Sequence, residues 1–161
     1  MPKNLTLIPF DLTGKVYRAP MPFGPFDNGV STLNEMREAR VQRVFTLVEE
    51  FEWAKHSSIS LPLAYEKAEI RMIHFPITDF EAPKEREPYL AAVRQALELI
   101  KNGENIAVHC MAGIGRTGTF LAGMARLHYG WDANEAILWL RQFVPNALEN
   151  EKQIAFMQKL L

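Results

Sequence analysis

Apolar positions along this chain fall into short unbroken runs and into longer runs spaced three and four apart, the patterns of buried strands and amphipathic helices. Residues 5–10 and 14–19 read as two short strands separated by the turn Asp11-Leu12-Thr13-Gly14. Residues 41–48 (Val-Gln-Arg-Val-Phe-Thr-Leu-Val), 71–75 and 106–108 read as further strands, apolar enough for the interior of a parallel sheet. Between them the period changes. Ser31 and Thr32 followed by Glu35 resemble a capping box that opens a helix reaching about residue 40. Residues 53–69 read as one or two short helices broken near Pro62. Over 84–101, Leu90, Val93, Leu97 and Ile100 lie at helical spacing, and Asn102-Gly103 ends that helix. Residues 119–127 are almost wholly apolar and predict a buried helix closed by Tyr129-Gly130. Asp132 with Glu135 caps a helix over 133–144, which Pro145 breaks, and a last helix covers 148–161. Strands alternating with helices predict an α/β fold. Its central sheet has four or five mostly parallel strands, with helices on both faces, in one domain over residues 1–161.

Composition narrows this picture. The chain has 161 residues, 48% of them hydrophobic, enough for one proper core. A formal charge of −1 argues against non-specific binding to nucleic acid or to a membrane surface. No apolar run approaches the length of a membrane span, and the first ten residues carry no leader pattern. There is one cysteine, so no internal disulfide forms, and a reducing, cytoplasmic location is expected.

The chemistry concentrates in His109-Cys110-Met111-Ala112-Gly113-Ile114-Gly115-Arg116-Thr117-Gly118. This glycine-rich stretch joins the end of a strand to the start of a helix, an arrangement whose backbone N–H groups converge on an anion. Met111, Ala112, Gly113, Ile114, Gly115 and Arg116 are the expected phosphate-binding positions. Arg116 brings a planar fork that takes two oxygens of a phosphate. Cys110 lies at the floor of the ring, where dipoles and the guanidinium favour the thiolate, the nucleophilic form. The Thr117 hydroxyl can reach the sulfur and help it depart from a phosphorylated intermediate. His109 is read as orienting the loop through backbone groups, not as the base.

Two other segments lie where ligand sites form, beyond the C-terminal ends of strands. The loop Pro76-Ile77-Thr78-Asp79-Phe80-Glu81-Ala82-Pro83 offers Asp79 as the acid that protonates a leaving oxygen, with Glu81 as the second choice. Glu49, Glu50 and Glu52 follow another strand. One of them can orient Arg116 by ion pairing, although a solvated acidic loop is the preferred reading. Phe23 and Phe26, in the Pro- and Gly-rich stretch 20–29, either line a pocket mouth or cover the core, the second being preferred. His74 is read as a packed side chain.

His-Cys, five residues and Arg-Thr-Gly together resemble the signature of the cysteine-dependent protein tyrosine phosphatase superfamily, and the likeness runs from about residue 71 to 161. The resemblance implies hydrolysis of phosphate monoesters through a phospho-cysteine, with no cofactor and no metal. Asp79 stands 31 positions before Cys110, matching the family's acid, although Ile-Thr-Asp replaces the Trp-Pro-Asp of the large tyrosine phosphatases. Gln153 matches a glutamine that small dual-specificity members carry near the active site, and the resemblance implies that its amide places the attacking water. A solvent-facing glutamine is the alternative. The small dual-specificity branch is the better match, with a phosphorylated protein or peptide as partner and phosphotyrosine as the best residue. A phosphoinositide, an RNA 5′-phosphate or a non-catalytic phosphoprotein-binding role are the alternatives. The loop's uncharged Met111, Ala112, Ile114 and Gly115 count against a polyanion.

Overall fold

The computed structural model describes residues 3–57 and 59–161, which leaves Met1, Pro2 and Ser58 outside it. Its strands are β1 (Thr6–Ile8), β2 (Val16–Ala19), β3 (Arg43–Thr46), β4 (Arg71–His74) and β5 (Ile106–His109). They form one sheet in the order β1-β2-β5-β3-β4. Only the β1–β2 hairpin is antiparallel, while β2, β5, β3 and β4 run parallel. The helices are α1 (Thr32–Glu38), α2 (Glu50–His56), α3 (Leu61–Lys67), α4 (Arg86–Lys101), α5 (Gly115–Tyr129), α6 (Ala133–Arg141) and α7 (Glu151–Gln158).

Strand alternation explains why both sheet faces are covered. Phe45 and Val108 share one face, and there Phe45 meets Phe120 of α5 with ring centroids 5.1 Å apart. Tyr89 of α4 adds an edge-on contact to Phe120 and donates its hydroxyl to Thr119 O at 2.6 Å. Thr46 and His109 share the opposite face and meet Tyr65 of α3. Leu90, Val93, Leu97 and Ile100, the predicted stripe of α4, are all buried. Each such side chain contributes roughly 1.5–3 kcal/mol on leaving water.

Register places the working edge. Ala19, His109, Thr46 and His74 stand side by side at the ends of four parallel strands. The segments leaving those ends therefore open at one edge of the sheet, the place where ligands bind in open α/β folds.

Several boundaries differ from the sequence expectation. The Ser31–Glu35 capping box does not form. Asp27 Oδ1 accepts the Thr32 N–H at 3.0 Å and the Thr32 hydroxyl at 2.6 Å, while Glu35 reaches back to the Asn4 N–H at 2.8 Å. Glu35 thus fastens the N-terminal strand instead of its own helix. Between α2 and α3 the break falls before Ser60, and Pro62 sits inside the first turn of α3, where a missing N–H costs nothing. α7 begins at Glu151 because Asn150 caps it, accepting the Gln153 N–H at 3.1 Å, and Leu148 ahead of it is buried with φ of 56°.

Candidate active site

The loop from Cys110 to Ile114 follows β5 and runs into α5. Its first four carbonyls are turned away from the interior, that of Cys110 by the neighbouring His109 and the other three by more distant donors. His109 O still belongs to the sheet and accepts from Leu47 N at 3.0 Å, while in the loop Cys110 O accepts from His109 Nδ1 at 2.9 Å and Met111 O from Met21 N at 2.9 Å. Ala112 O accepts from Arg18 Nη2 at 2.6 Å, and Gly113 O from Arg18 Nε at 3.1 Å. In a planar trans peptide the N–H points opposite to the C=O. The outward carbonyls of residues 110–113 therefore mean that the N–H groups of residues 111–114 face inward. Gly113 adopts φ of 79°, and a Cβ there would overlap the Ala19 carbonyl oxygen. Glycine is required at that point.

Cys110 is buried at the base of this ring and is the chain's only cysteine. His109 beside it is fully buried. Its Nδ1 faces a carbonyl, so that nitrogen carries the proton, and Nε2 accepts from the Thr46 and Tyr65 hydroxyls, each at 3.0 Å. Burial holds its pKa down at about 4, against the pull of the Cys110 carbonyl. A neutral imidazole with both nitrogens engaged fixes the loop and exchanges no proton with a substrate.

Arg116, in the first turn of α5, is 2% exposed. Glu52 meets its fork bidentately, Nη1 to Oε2 at 2.8 Å and Nη2 to Oε1 at 2.9 Å, and Nη1 also donates to Ile77 O at 2.9 Å. Nη2 lies 3.1 Å from Asp79 Oδ1. Burial pulls the guanidinium pKa down, but the Glu52 bonds and the charges of Cys110, Glu52 and Asp79 outweigh it, and the net shift is upward. The preferred reading of Glu49, Glu50 and Glu52 as a solvated loop is thus corrected at Glu52. It lies at the third position of α2, where its Oε2 also accepts the Glu49 N–H at 2.7 Å and turns the carboxylate inward.

Asp79 is half exposed, on the loop between β4 and α4, and a cavity of about 260 Å³ lined by Phe75, Pro76, Pro83 and Pro88 lies behind that loop. Glu81, the second choice, points elsewhere and pairs with Lys152 at 2.7 Å. The Thr117 hydroxyl is buried with no hydrogen-bond partner among the described residues. Gln153 is fully buried, which overturns the solvent-facing alternative. Its Oε1 accepts the Glu149 N–H at 2.9 Å and its Nε2 donates to Glu81 O at 3.4 Å. It ties the acid loop to the start of α7. Phe23 packs against the core, as preferred, whereas Phe26 is exposed. His74 is exposed at the sheet edge. It bonds to Val48 O at 2.7 Å and packs edge-on against Trp53.

Two residues at the site carried no sequence reading, Arg18 and Glu149. The Glu149 carboxylate fills the space where a Cβ of Gly115 would stand. Its pKa is raised, by burial first and then by the charge of Asp79, with Arg116 opposing. Arg18 had one signal available, a charged residue in an otherwise apolar strand, and Glu149 had its closeness to Gln153 in the sequence.

The family model described as "Polymorphic toxin system, DSP-PTPase phosphatase" matches residues 26–128. The human dual specificity protein phosphatase CDC14C is 40% identical over 73 residues, 45% of this chain but 16% of that protein. The tyrosine-protein phosphatase CDC14 of Saccharomyces cerevisiae is 43% identical over 61 residues, 38% of this chain and 11% of that one. This chain thus matches only a small part of those relatives. Among solved structures, Tk-PTP in its active form superposes with a TM-score of 0.78 at 28% identity, covering 99% of this chain and 97% of its own. Kinase associated phosphatase superposes with a TM-score of 0.87 over 99% of this chain and 94% of its own, at an 18% identity that speaks for the fold alone. With its signature loop, its buried arginine and a family match over most of its length, the chain belongs to the dual-specificity phosphatase family of cysteine-dependent phosphatases.

Proposed function

We propose that this chain hydrolyses phosphate monoesters on proteins through a phospho-cysteine, with phosphotyrosine as its best substrate. The observation that carries the reading is the ring of four inward N–H groups above Cys110, closed by Arg116. Such donors stabilise the equatorial oxygens of a phosphoryl group most strongly as it transfers. Cys110 attacks phosphorus, and the P–O bond to the leaving group breaks. Asp79 gives its proton to that oxygen and then takes one from the water that hydrolyses the intermediate. The unpartnered Thr117 hydroxyl supports a bond to the sulfur as it leaves. Gln153 supports the second step indirectly, because its amide is committed to Glu149 and Glu81.

The surroundings favour a single phosphate. Among the loop's own residues Arg116 is the one cation, Arg18 lies behind the loop on its carbonyls, and the carboxylates of Asp79 and Glu149 border the site. A solved neighbour, PTPMT1, is in complex with PI(5)P, but at 21% identity it speaks for the fold alone. A cytoplasmic location belongs to this proposal, since a lone active thiol needs a reducing compartment.

The deciding experiment is turnover of p-nitrophenyl phosphate with a chelator present. A panel of phosphotyrosine, phosphoserine and phosphothreonine peptides, phosphoinositides and 5′-phosphorylated RNA then follows. Fastest turnover of phosphotyrosine peptides is expected. Preference for a phosphoinositide or the RNA overturns the substrate assignment, and absence of any turnover overturns the activity.

A further inference from the structure

Arg18 stands on β2, 95 residues before Gly113 in sequence, yet it grips the phosphate loop twice. We propose that Arg18 is a positioning residue of the phosphate site. Its fork holds the Ala112 and Gly113 carbonyls outward, aims the Gly113 and Ile114 N–H groups at the phosphoryl oxygens, and leaves an uncompensated positive charge beneath the loop. The proposal rests on the phosphatase reading above.

Three observations carry it. The first is geometric. The carbonyls of Cys110 and Met111 are held outward by the neighbouring His109 ring and by the main-chain N–H of Met21, but those of Ala112 and Gly113 depend on one side chain. Because each peptide unit is rigid, losing those two bonds frees two N–H groups to rotate away from the anion. Gly113, with φ of 79° and no Cβ, has the freedom to make that rotation, and a Cβ there would stand 2.6 Å from Arg18 Nη2.

The second is a charge count. Arg116 is paired bidentately with buried Glu52, so that pair is close to neutral before any phosphate arrives. Arg18 pairs with no carboxylate among the described residues. Its acceptors are Ala112 O, Gly113 O, Asn4 O at 3.3 Å and the Thr6 hydroxyl at 3.5 Å, all uncharged. Its cation therefore remains available to a phosphate dianion.

The third is that Arg18 responds to Cys110. Burial lowers the pKa of Arg18, and the charge on Cys110 opposes that. A cation that feels the Cys110 charge also acts on the phosphoryl group that the sulfur attacks.

The test compares Arg18→Met and Arg18→Lys with the wild type, measuring kcat and KM for p-nitrophenyl phosphate and the inhibition constants of vanadate and phosphate. Donors aimed at equatorial oxygens matter most to the trigonal bipyramid that vanadate mimics. Arg18→Met is expected to lower kcat and raise the vanadate constant by about 10–100-fold, with a smaller rise for phosphate. Arg18→Lys keeps the charge but loses the fork, and is expected to fall between the two. A residue that only fastens β2 to β1 changes the melting temperature and leaves the ratio of the two inhibition constants alone. An unchanged ratio in a folded Arg18→Met protein overturns the proposal. If that variant does not fold, vanadate inhibition in Arg18→Lys equal to wild type overturns it instead. Wild-type protein that turns over no phosphate monoester overturns the phosphatase reading itself, a result separate from both.

Discussion

Glu52 holds Arg116 by both nitrogens of its fork, at 2.8 and 2.9 Å, across 64 residues of sequence and out of contact with water. The same Glu52 oxygen that meets Arg116 Nη1 accepts the first free N–H of α2. One carboxylate thus closes a helix end and aims the arginine. Removing one member of a buried pair strands the other charge, which typically costs about 3–5 kcal/mol. Glu52→Ala is therefore expected to lose stability of that order in urea unfolding, and to lose kcat at temperatures where it remains folded. Unchanged stability would show that Arg116 finds another partner.

Cys110→Ser is expected to abolish turnover while still binding vanadate or phosphopeptide, because the N–H ring is built by the backbone and its outer donors. Arg116→Lys is expected to lower kcat by about 10²–10⁴-fold, since a point charge makes no bidentate pair with the transferring oxygens. Near-normal hydrolysis by the serine variant, or a loss in the lysine variant confined to KM, counts against these roles.

Asp79 lies 3.1 Å from Arg116, while Glu81 is turned to Lys152. Asp79→Asn is therefore expected to lower kcat by roughly 10²–10³-fold for phenyl phosphate, whose leaving group needs a proton. The loss shrinks for p-nitrophenyl phosphate, which leaves readily as an anion. Glu81→Gln is expected to act close to wild type on both. A silent Asp79→Asn together with a crippled Glu81→Gln would exchange the two assignments.

What the sequence made legible was local. The strand, glycine turn and buried helix around Cys110 announce themselves because residue type and backbone shape are coupled over a few positions. The parallel sheet and the stripe of α4 followed from periodicity alone. The residues missed or set aside act at long range. Arg18 reaches Gly113 across 95 residues, and Glu52 looked like one acid in an exposed run until folding put it against Arg116. The cap of α1 failed for the same reason. Ser31 and Glu35 have the right spacing, but Asp27 wins the helix start and Asn4 wins the glutamate. Gln153 was legible as a position and not as an environment, because burial depends on what α7 packs against.

His109 gives the chain a distinct acid sensitivity. Its imidazole is fully buried and neutral, with Nδ1–H donated to Cys110 O and Nε2 accepting from the Thr46 and Tyr65 hydroxyls. Protonating it places a charge in the core and turns its one acceptor nitrogen into a donor. Burial accordingly lowers its pKa from the usual 6.5 to about 4. An unfolded chain takes up that proton near pH 6.5, whereas the folded chain resists it until about 4. The unfolded form thus binds more protons over this interval, and stability falls as the pH falls. The contribution is fully present above pH 6.5, declines from there to about pH 4, and amounts in all to about 3 kcal/mol at about 1.4 kcal/mol per unit. Urea unfolding of the wild type and of His109→Asn at several pH values between 7.5 and 4 isolates this from the carboxylates, which both proteins share. Over that range the variant is less stable at neutral pH, and its stability is expected to fall less steeply than the wild type's below pH 6.5. Parallel curves for the two proteins would mean that His109 accepts a proton as readily in the fold as out of it.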